Sequence, residues 1–160
     1  MWPTNPDEFE PQHIEPDDAD RGDAWYFVFS RGEIICKTEG GVLEPVTADD
    51  FRWFDMEVSS KHFLGHYLNR PCFAVAASGS VAQGFSPMGL RNLLGRTNQA
   101  IFYLAGRAQQ VIEWHETHQF CGRCGIQMSD HHLDRAKQCP TCKLINYPRL
   151  SPSIIVLVTR

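Results

Sequence analysis

The stretch Cys121-Gly-Arg-Cys124, followed after residues 125–138 by Cys139-Pro-Thr-Cys142, decides how the rest of the chain is read. Each pair sets two thiols two residues apart, which lets both sulfurs of a knuckle reach one ion, and structural zinc takes four thiolates at about 2.3 Å. Four thiolates fill the coordination sphere, so the site supplies folding energy and leaves no position for a reactive water. Gly122 and Gly125 are expected to permit the tight turns, and Pro140 fixes its own φ. The intervening segment is long enough for a short hairpin with Ser129 to His132 near its tip, which describes a zinc ribbon. Two disulfides are the competing reading, but they need an oxidising compartment, and nothing else in the sequence suggests export. His118, His131 and His132 are alternative ligands, yet four thiols suffice without them; solvated turn positions or a helix-end cap describe them equally well.

Working upstream from the first knuckle, Thr97 to about His118 reads as the longest regular element. Ile101, Leu104, Ala105, Ala108, Val111, Ile112 and His115 fall along one stripe at helical periodicity, and Thr97 or Asn98 can cap its start. Ser86-Pro-Met-Gly89 reads as a turn into a brief helix, Leu90 to Leu94. Cys72 to Ala77 reads as a short buried strand. Ser59 to Asn69 reads as a helix, with His62, Phe63, His66 and Tyr67 at helical spacing, interrupted by Gly65 and stopped by Pro71. His62 and His66 would then share a face as a metal pair does, but no third ligand lies nearby, and a partly exposed surface is the preferred reading. Ala24 to Phe29 and Gly32 to Cys36 read as two strands around the turn Ser30-Arg-Gly32, and Met56 to Val58 as another. Between them Thr47-Ala-Asp-Asp50 offers a helix N-cap with carboxylates in the first turn, and the helix is expected to run to about Phe54.

Residues 1–23 are rich in Pro, Asp and Glu, so the sequence predicts a disordered acidic tail there. The expected organisation is that tail, an N-terminal α+β domain over 24–96 with a mixed sheet, a connecting helix over 97–118, and a zinc ribbon over 119–146. Residues 147–160 are expected to begin a further domain. Two prolines stiffen the connector after Asn146, and Ile154-Ile-Val-Leu-Val158 has the β-branched character of a central strand that needs neighbours. The expectation is therefore that a further domain begins here and continues past Arg160.

The 160 residues are enough to bury a core, and 42% hydrophobic with 21% charged residues is the balance of a globular protein. Six cysteines, four of them in knuckles, fit a reducing cytosol, with Cys36 and Cys72 as ordinary buried thiols. No apolar run has membrane-spanning length, and the first residues do not resemble a secretion signal. The net charge of −4 hides an asymmetry: residues 1–24 carry eight acidic groups against Arg21, whereas residues 121–160 carry six Lys or Arg against Asp130 and Asp134. A locally basic ribbon suits a polyanionic ligand.

Leu104-Ala-Gly-Arg107, the helix into Phe120-Cys-Gly-x-Cys-Gly125, the second knuckle, and Tyr147-Pro-x-x-x-Pro-x-Ile-Ile-Val156 together resemble the bacterial NADH pyrophosphatases of the Nudix superfamily. The likeness runs through roughly residues 85–160, and residues 25–84 fit as the variable N-terminal domain of that family. It implies a homodimeric, cytoplasmic enzyme, dependent on Mg²⁺ or Mn²⁺, that splits NAD(H) into NMN(H) and AMP and removes NAD caps from RNA 5′ ends. In such enzymes a glutamate cluster holds the divalent ion, which neutralises the diphosphate and activates water. The Nudix signature, with its Arg-Glu-x-x-Glu-Glu helix, does not occur in this sequence, so no catalytic residue is assigned and the 160 residues alone are expected to hydrolyse nothing. The resemblance places three substrate contacts: Arg91 for phosphate, Tyr147 beside the nicotinamide, and Asp134 where the family has a glutamate. Lys37 falls near a family lysine by loose alignment only and receives no role. Outside this resemblance, the competing function is a stand-alone ribbon gripping nucleic acid with Arg123, Arg135, Lys137, Lys143 and Arg149.

Overall fold

The computed structural model describes residues 8–38, 42–149 and 156–157. The chain forms two units, Met1–Thr117 and His118–Arg160. The first is built on a seven-stranded mixed sheet. Its strands are β1 (Phe9–Pro11), β2 (Trp25–Ser30), β3 (Glu33–Lys37), β4 (Glu44–Thr47), β5 (Asp55–Tyr67), β6 (Arg70–Ser80) and β7 (Phe85–Met88), in the spatial order β1-β5-β6-β2-β4-β3-β7. β2 runs parallel to β6, with Trp25 opposite Cys72 and Phe29 opposite Ala76, and the other pairings are antiparallel.

Alternation along the two parallel strands divides the core. Phe27 and Phe29 of β2 join Cys72, Ala74 and Ala76 of β6 on one face, while Tyr26 and Val28 join Phe73, Val75 and Ala77 on the other. Helix α2 (Gln99–Thr117) lies on the first face, burying Ile101, Leu104, Ala105, Ala108, Val111 and Ile112 of the stripe expected from periodicity; His115, the last of that stripe, is only half-buried, and Trp114 is buried in addition. Asn98 caps it, its side-chain oxygen accepting from the Ala100 N–H at 2.7 Å. The second face is covered by the short helix α1 (Ala48–Phe51) with Phe54, and by Ala19 and Ala24. Thr47 and Asp50 cap α1 reciprocally, a capping box that satisfies two amides at once. The helix stops at Phe51, short of the expected Phe54.

The hairpin between β2 and β3 turns at Arg31 and Gly32, at φ of 52° and 80°, as two-residue hairpins prefer. Three expectations fail in this unit. Ser59 to Asn69 is not a helix: it is the second half of β5, and Leu68 and Asn69, both at positive φ, turn the chain into β6. The misreading has a geometric cause. The register slips between Phe63 and Gly65, so Leu64 and Tyr67 share one face and Phe63 and His66 the other. A bulge in a strand thus produces a spacing of three that imitates a helix. Gly65 sits at φ 126°, and a Cβ there would meet the Glu10 carbonyl oxygen at 2.0 Å, so β1 can pair only against a glycine.

The acidic segment is likewise not a disordered tail where it is described. Phe9 is buried and pairs with Tyr67, Ala19 is buried, and Asp20 binds the Lys61 ammonium at 2.7 Å while accepting from the Tyr26 hydroxyl. Composition hid this because a few side chains, among them Phe9, Ala19, Asp20 and Arg21, together with backbone bonds do the anchoring among many solvated residues. Finally, Phe85–Met88 is not a turn: it is the edge strand β7, paired with β3 despite Pro87, and it leads into a 3₁₀ turn at Leu90–Leu93. An edge strand tolerates proline on its outward side. Cys36 and Cys72 are buried as expected, and desolvation pushes both thiols up to about 12.

A candidate metal centre

The second unit is a three-stranded antiparallel ribbon of β8 (Ser129–Asp130), β9 (Lys137–Gln138) and β10 (Ile145–Asn146), in the order β10-β9-β8. Strands of two residues carry little stability by themselves. The ribbon's buried cluster is Cys121, Met128 and Cys139, with Cys142 and Leu144 packed against it, so the sulfurs are most of its core.

The two knuckles share their backbone bonds and differ in the amide that reaches the first sulfur, two residues on in the first knuckle and three residues on in the second. In the first, the Gly125 amide donates to the Cys121 carbonyl at 2.9 Å and the Arg123 amide to the Cys121 sulfur at 3.4 Å. In the second, the Lys143 amide donates to the Cys139 carbonyl at 3.1 Å and the Cys142 amide to the Cys139 sulfur at 3.4 Å. Each knuckle then continues its ribbon strand: the Cys121 amide reaches Ile126 O at 2.8 Å, and the Cys139 amide reaches Leu144 O at 2.9 Å. Both turns finish in the left-handed region, at Gly125 with φ 72° and at Lys143 with φ 60°. Gly122 has no such requirement; only Gly125 of the two knuckle glycines does.

This wiring brings the four sulfurs within 4.8 Å of one another, with Cys121 to Cys142 and Cys124 to Cys139 at 3.5 Å and Cys124 to Cys142 at 3.7 Å. Four sulfurs placed about 2.3 Å from a common centre would be about 3.8 Å apart, so the set fits a tetrahedral zinc ion. The separations are far outside a disulfide bond of about 2.05 Å. The thiols also perturb one another. The Cys142 amide draws the Cys139 thiol down to about 6, whereas at Cys124 the Ile126 amide is outweighed by the neighbouring sulfurs, which push it up to about 12. Four thiolates this close cannot all ionise unless a cation sits among them, which is the role zinc plays when bound. Cys121, Cys124, Cys139 and Cys142 are thus the set that could hold the ion, and His118, His131 and His132 are outside the cluster.

Of the three residues expected at the substrate, Asp134 and Tyr147 meet: the Tyr147 hydroxyl donates to Asp134 Oδ2 at 3.1 Å, and Asp134 raises the phenol above its ordinary value. His131 Nδ1 lies 3.7 Å from the same carboxylate oxygen. Arg91 is exposed on the 3₁₀ turn of the first unit. Lys37 lies over the Phe85 ring at 6.0 Å, and His62 stands on β5 with its ring 4.5 Å from that of His115. The proposed basic grip is thinner than the sequence implies. Lys137 is 3% exposed with its ammonium 3.7 Å from Asp130, and the Lys143 ammonium donates to Pro140 O at 2.8 Å. The expected strand Ile154 to Val158 lies outside the described residues except for Val156 and Leu157, which are exposed and in no strand.

Fold and clasp define a zinc-ribbon protein whose ribbon follows a mixed-sheet unit. The family model described as NADH pyrophosphatase-like rudimentary NUDIX domain matches residues 23–114, and the one described as NADH pyrophosphatase zinc ribbon domain matches residues 116–147. The chain belongs to the NADH pyrophosphatase-like NUDIX family. Its first unit, taken from sequence as a variable domain, is thus matched as a reduced copy of the NUDIX domain. Similar proteins include an NAD-capped RNA hydrolase NudC of Deinococcus radiodurans, 43% identical over 61% of this chain and 35% of its own length. That of Stutzerimonas stutzeri is 36% identical over 85% of this chain and 49% of its own, and that of Pseudomonas entomophila 37% identical over 66% and 39%. The chain therefore spans between about a third and a half of the curated relatives it matches. Among the described residues no helix is long and apolar enough to cross a membrane.

Proposed function

We propose that the chain is the N-terminal and zinc-ribbon part of an NAD(H) diphosphatase that yields NMN(H) and AMP and removes NAD caps from RNA 5′ ends. The observation that carries this reading is the succession, in one chain, of the two NADH pyrophosphatase models over 23–114 and 116–147, the second containing the four-thiol clasp. In this reading the enzyme is a cytoplasmic homodimer. The zinc is structural, and Mg²⁺ or Mn²⁺ is held by glutamates that the 160 residues do not contain. Arg91 meets phosphate, Tyr147 lies beside the nicotinamide, and Asp134 supports it.

The test is direct. The 160-residue protein, loaded with zinc, is incubated with NADH and Mn²⁺, and the products are separated chromatographically, alongside the chain extended through any coding sequence that follows Arg160. The expected result is AMP and NMNH from the extended protein alone. AMP from the 160-residue protein would show that it needs no Nudix signature. An inert extended protein with steeply salt-dependent RNA affinity would favour the nucleic-acid-binding ribbon instead.

A further inference from the structure

We infer that Cys124 is an oxidation site, the sulfur at which a hydroperoxide opens the clasp. The four ligands are not equivalent. Cys121 and Cys139, the first of each knuckle, are 3% and 0% exposed, and each sulfur takes a backbone amide at 3.4 Å. Cys142 is half-buried, and Cys124 is exposed. An oxidant arriving from solvent therefore meets Cys124 first. The sulfurs it would join next are already at hand, Cys139 at 3.5 Å and Cys142 at 3.7 Å, both in the other knuckle.

The chemistry balances. The Cys124 sulfur attacks the terminal oxygen of the hydroperoxide; an S–O bond forms, the O–O bond breaks, and the departing oxygen leaves as water or alcohol with a proton. A thiolate of the second knuckle then attacks the sulfenic sulfur. The S–S bond forms, the S–O bond breaks, and the hydroxide leaves as water. Two sulfurs are oxidised and the two peroxide oxygens are reduced. Losing two thiolates leaves two ligands, too few to retain zinc. Because the sulfurs are most of the ribbon's core, opening the clasp unfolds the ribbon. Adding a thiol reductant and zinc closes it again.

The experiment uses the zinc-loaded 160-residue protein and hydrogen peroxide. Zinc release is followed with a chromogenic chelator, sulfenic acid is trapped with dimedone at early times, and disulfides are mapped by mass spectrometry. The expected results are a first dimedone adduct at Cys124, one zinc released per disulfide formed, and a bridge from Cys124 to Cys139 or Cys142. Cys36 and Cys72, buried elsewhere, remain thiols as internal controls. Cys124→Asp keeps a fourth ligand: if it binds zinc, release by peroxide is expected to slow several-fold. A first adduct at another cysteine, a bridge within one knuckle, full zinc retention, or unchanged release from a zinc-bearing Cys124→Asp protein would each overturn the assignment. Should that variant bind no zinc, the adduct and bridge positions in the unmodified protein decide the matter.

Discussion

Lys143 occupies in the second knuckle the position that Gly125 occupies in the first, at φ 60° against 72°. The left-handed region costs a residue with a Cβ about 1 kcal/mol or more, and glycine nothing comparable. Lys143→Gly is therefore expected to stabilise the zinc-loaded ribbon by about 1 kcal/mol, less what is lost with the Lys143 bond to Pro140 O. Gly125→Ala, with open space around its Cβ, is expected to cost a similar amount through backbone strain alone. Chelator competition, measured as the zinc affinity of each variant, reads both.

Removing zinc is expected to divide the molecule. The ribbon's cluster is made largely of ligands, whereas the sheet unit has two apolar layers of its own. A strong chelator should collapse the amide dispersion of residues 118–149 in an NMR spectrum while leaving the sheet unit's resonances in place. Simultaneous loss of both sets would show that the sheet unit depends on the metal.

At β1, Gly65→Ala is expected to detach the strand. The new methyl would stand 2.0 Å from Glu10 O, at a φ of 126° that alanine disfavours. The loss should exceed about 1 kcal/mol, with Phe9 uncovered. Faster proteolysis near residues 8–13 than in the unmodified protein is the readout; equal rates would contradict the pairing's importance.

Asp20 gives the sheet unit an acid dependence. Burial works to raise its carboxyl, but the Lys61 ammonium at 2.7 Å and the Tyr26 hydroxyl outweigh that and hold it below the usual range. A carboxylate depressed in the folded state contributes stability above its unfolded value near 4, and the contribution fades as pH falls through the folded value. Asp20→Asn should therefore destabilise at pH 7 and differ progressively less from the unmodified protein below pH 4. Thermal melts across that range decide it.

For Tyr147, the carboxylate partner raises the phenol. Asp134→Asn removes the charge, so the phenol should ionise at lower pH, nearer 10. Absorbance difference titration of the variant against the unmodified protein, with Tyr147→Phe to assign the signal, tests the contact.

What the sequence showed and what it hid follow from distance along the chain. The clasp was legible because its four ligands come from two short spacings, and α2 because its stripe repeats over five turns. The length of β5 was not legible, since the bulge before Gly65 resets its alternation and mimics helical spacing. The anchoring of residues 8–23 was hidden because its partners, Tyr67 and Lys61, lie far along the chain. The meeting of Asp134 and Tyr147 depends on how residues 131–136 loop between β8 and β9, which side-chain types alone do not encode.

The parallel seam between β2 and β6 also sets the order in which this protein can fold as it is made. β2 is central, but the strand that covers one of its edges is not complete until residue 80, so a nascent chain shorter than that leaves that edge of β2 unpaired. The knuckles, by contrast, involve only close neighbours and can close as soon as they leave the ribosome. A stall after β2 is made and before β6 is complete leaves an aggregation-prone half-sheet, and that interval is where a chaperone would be most needed.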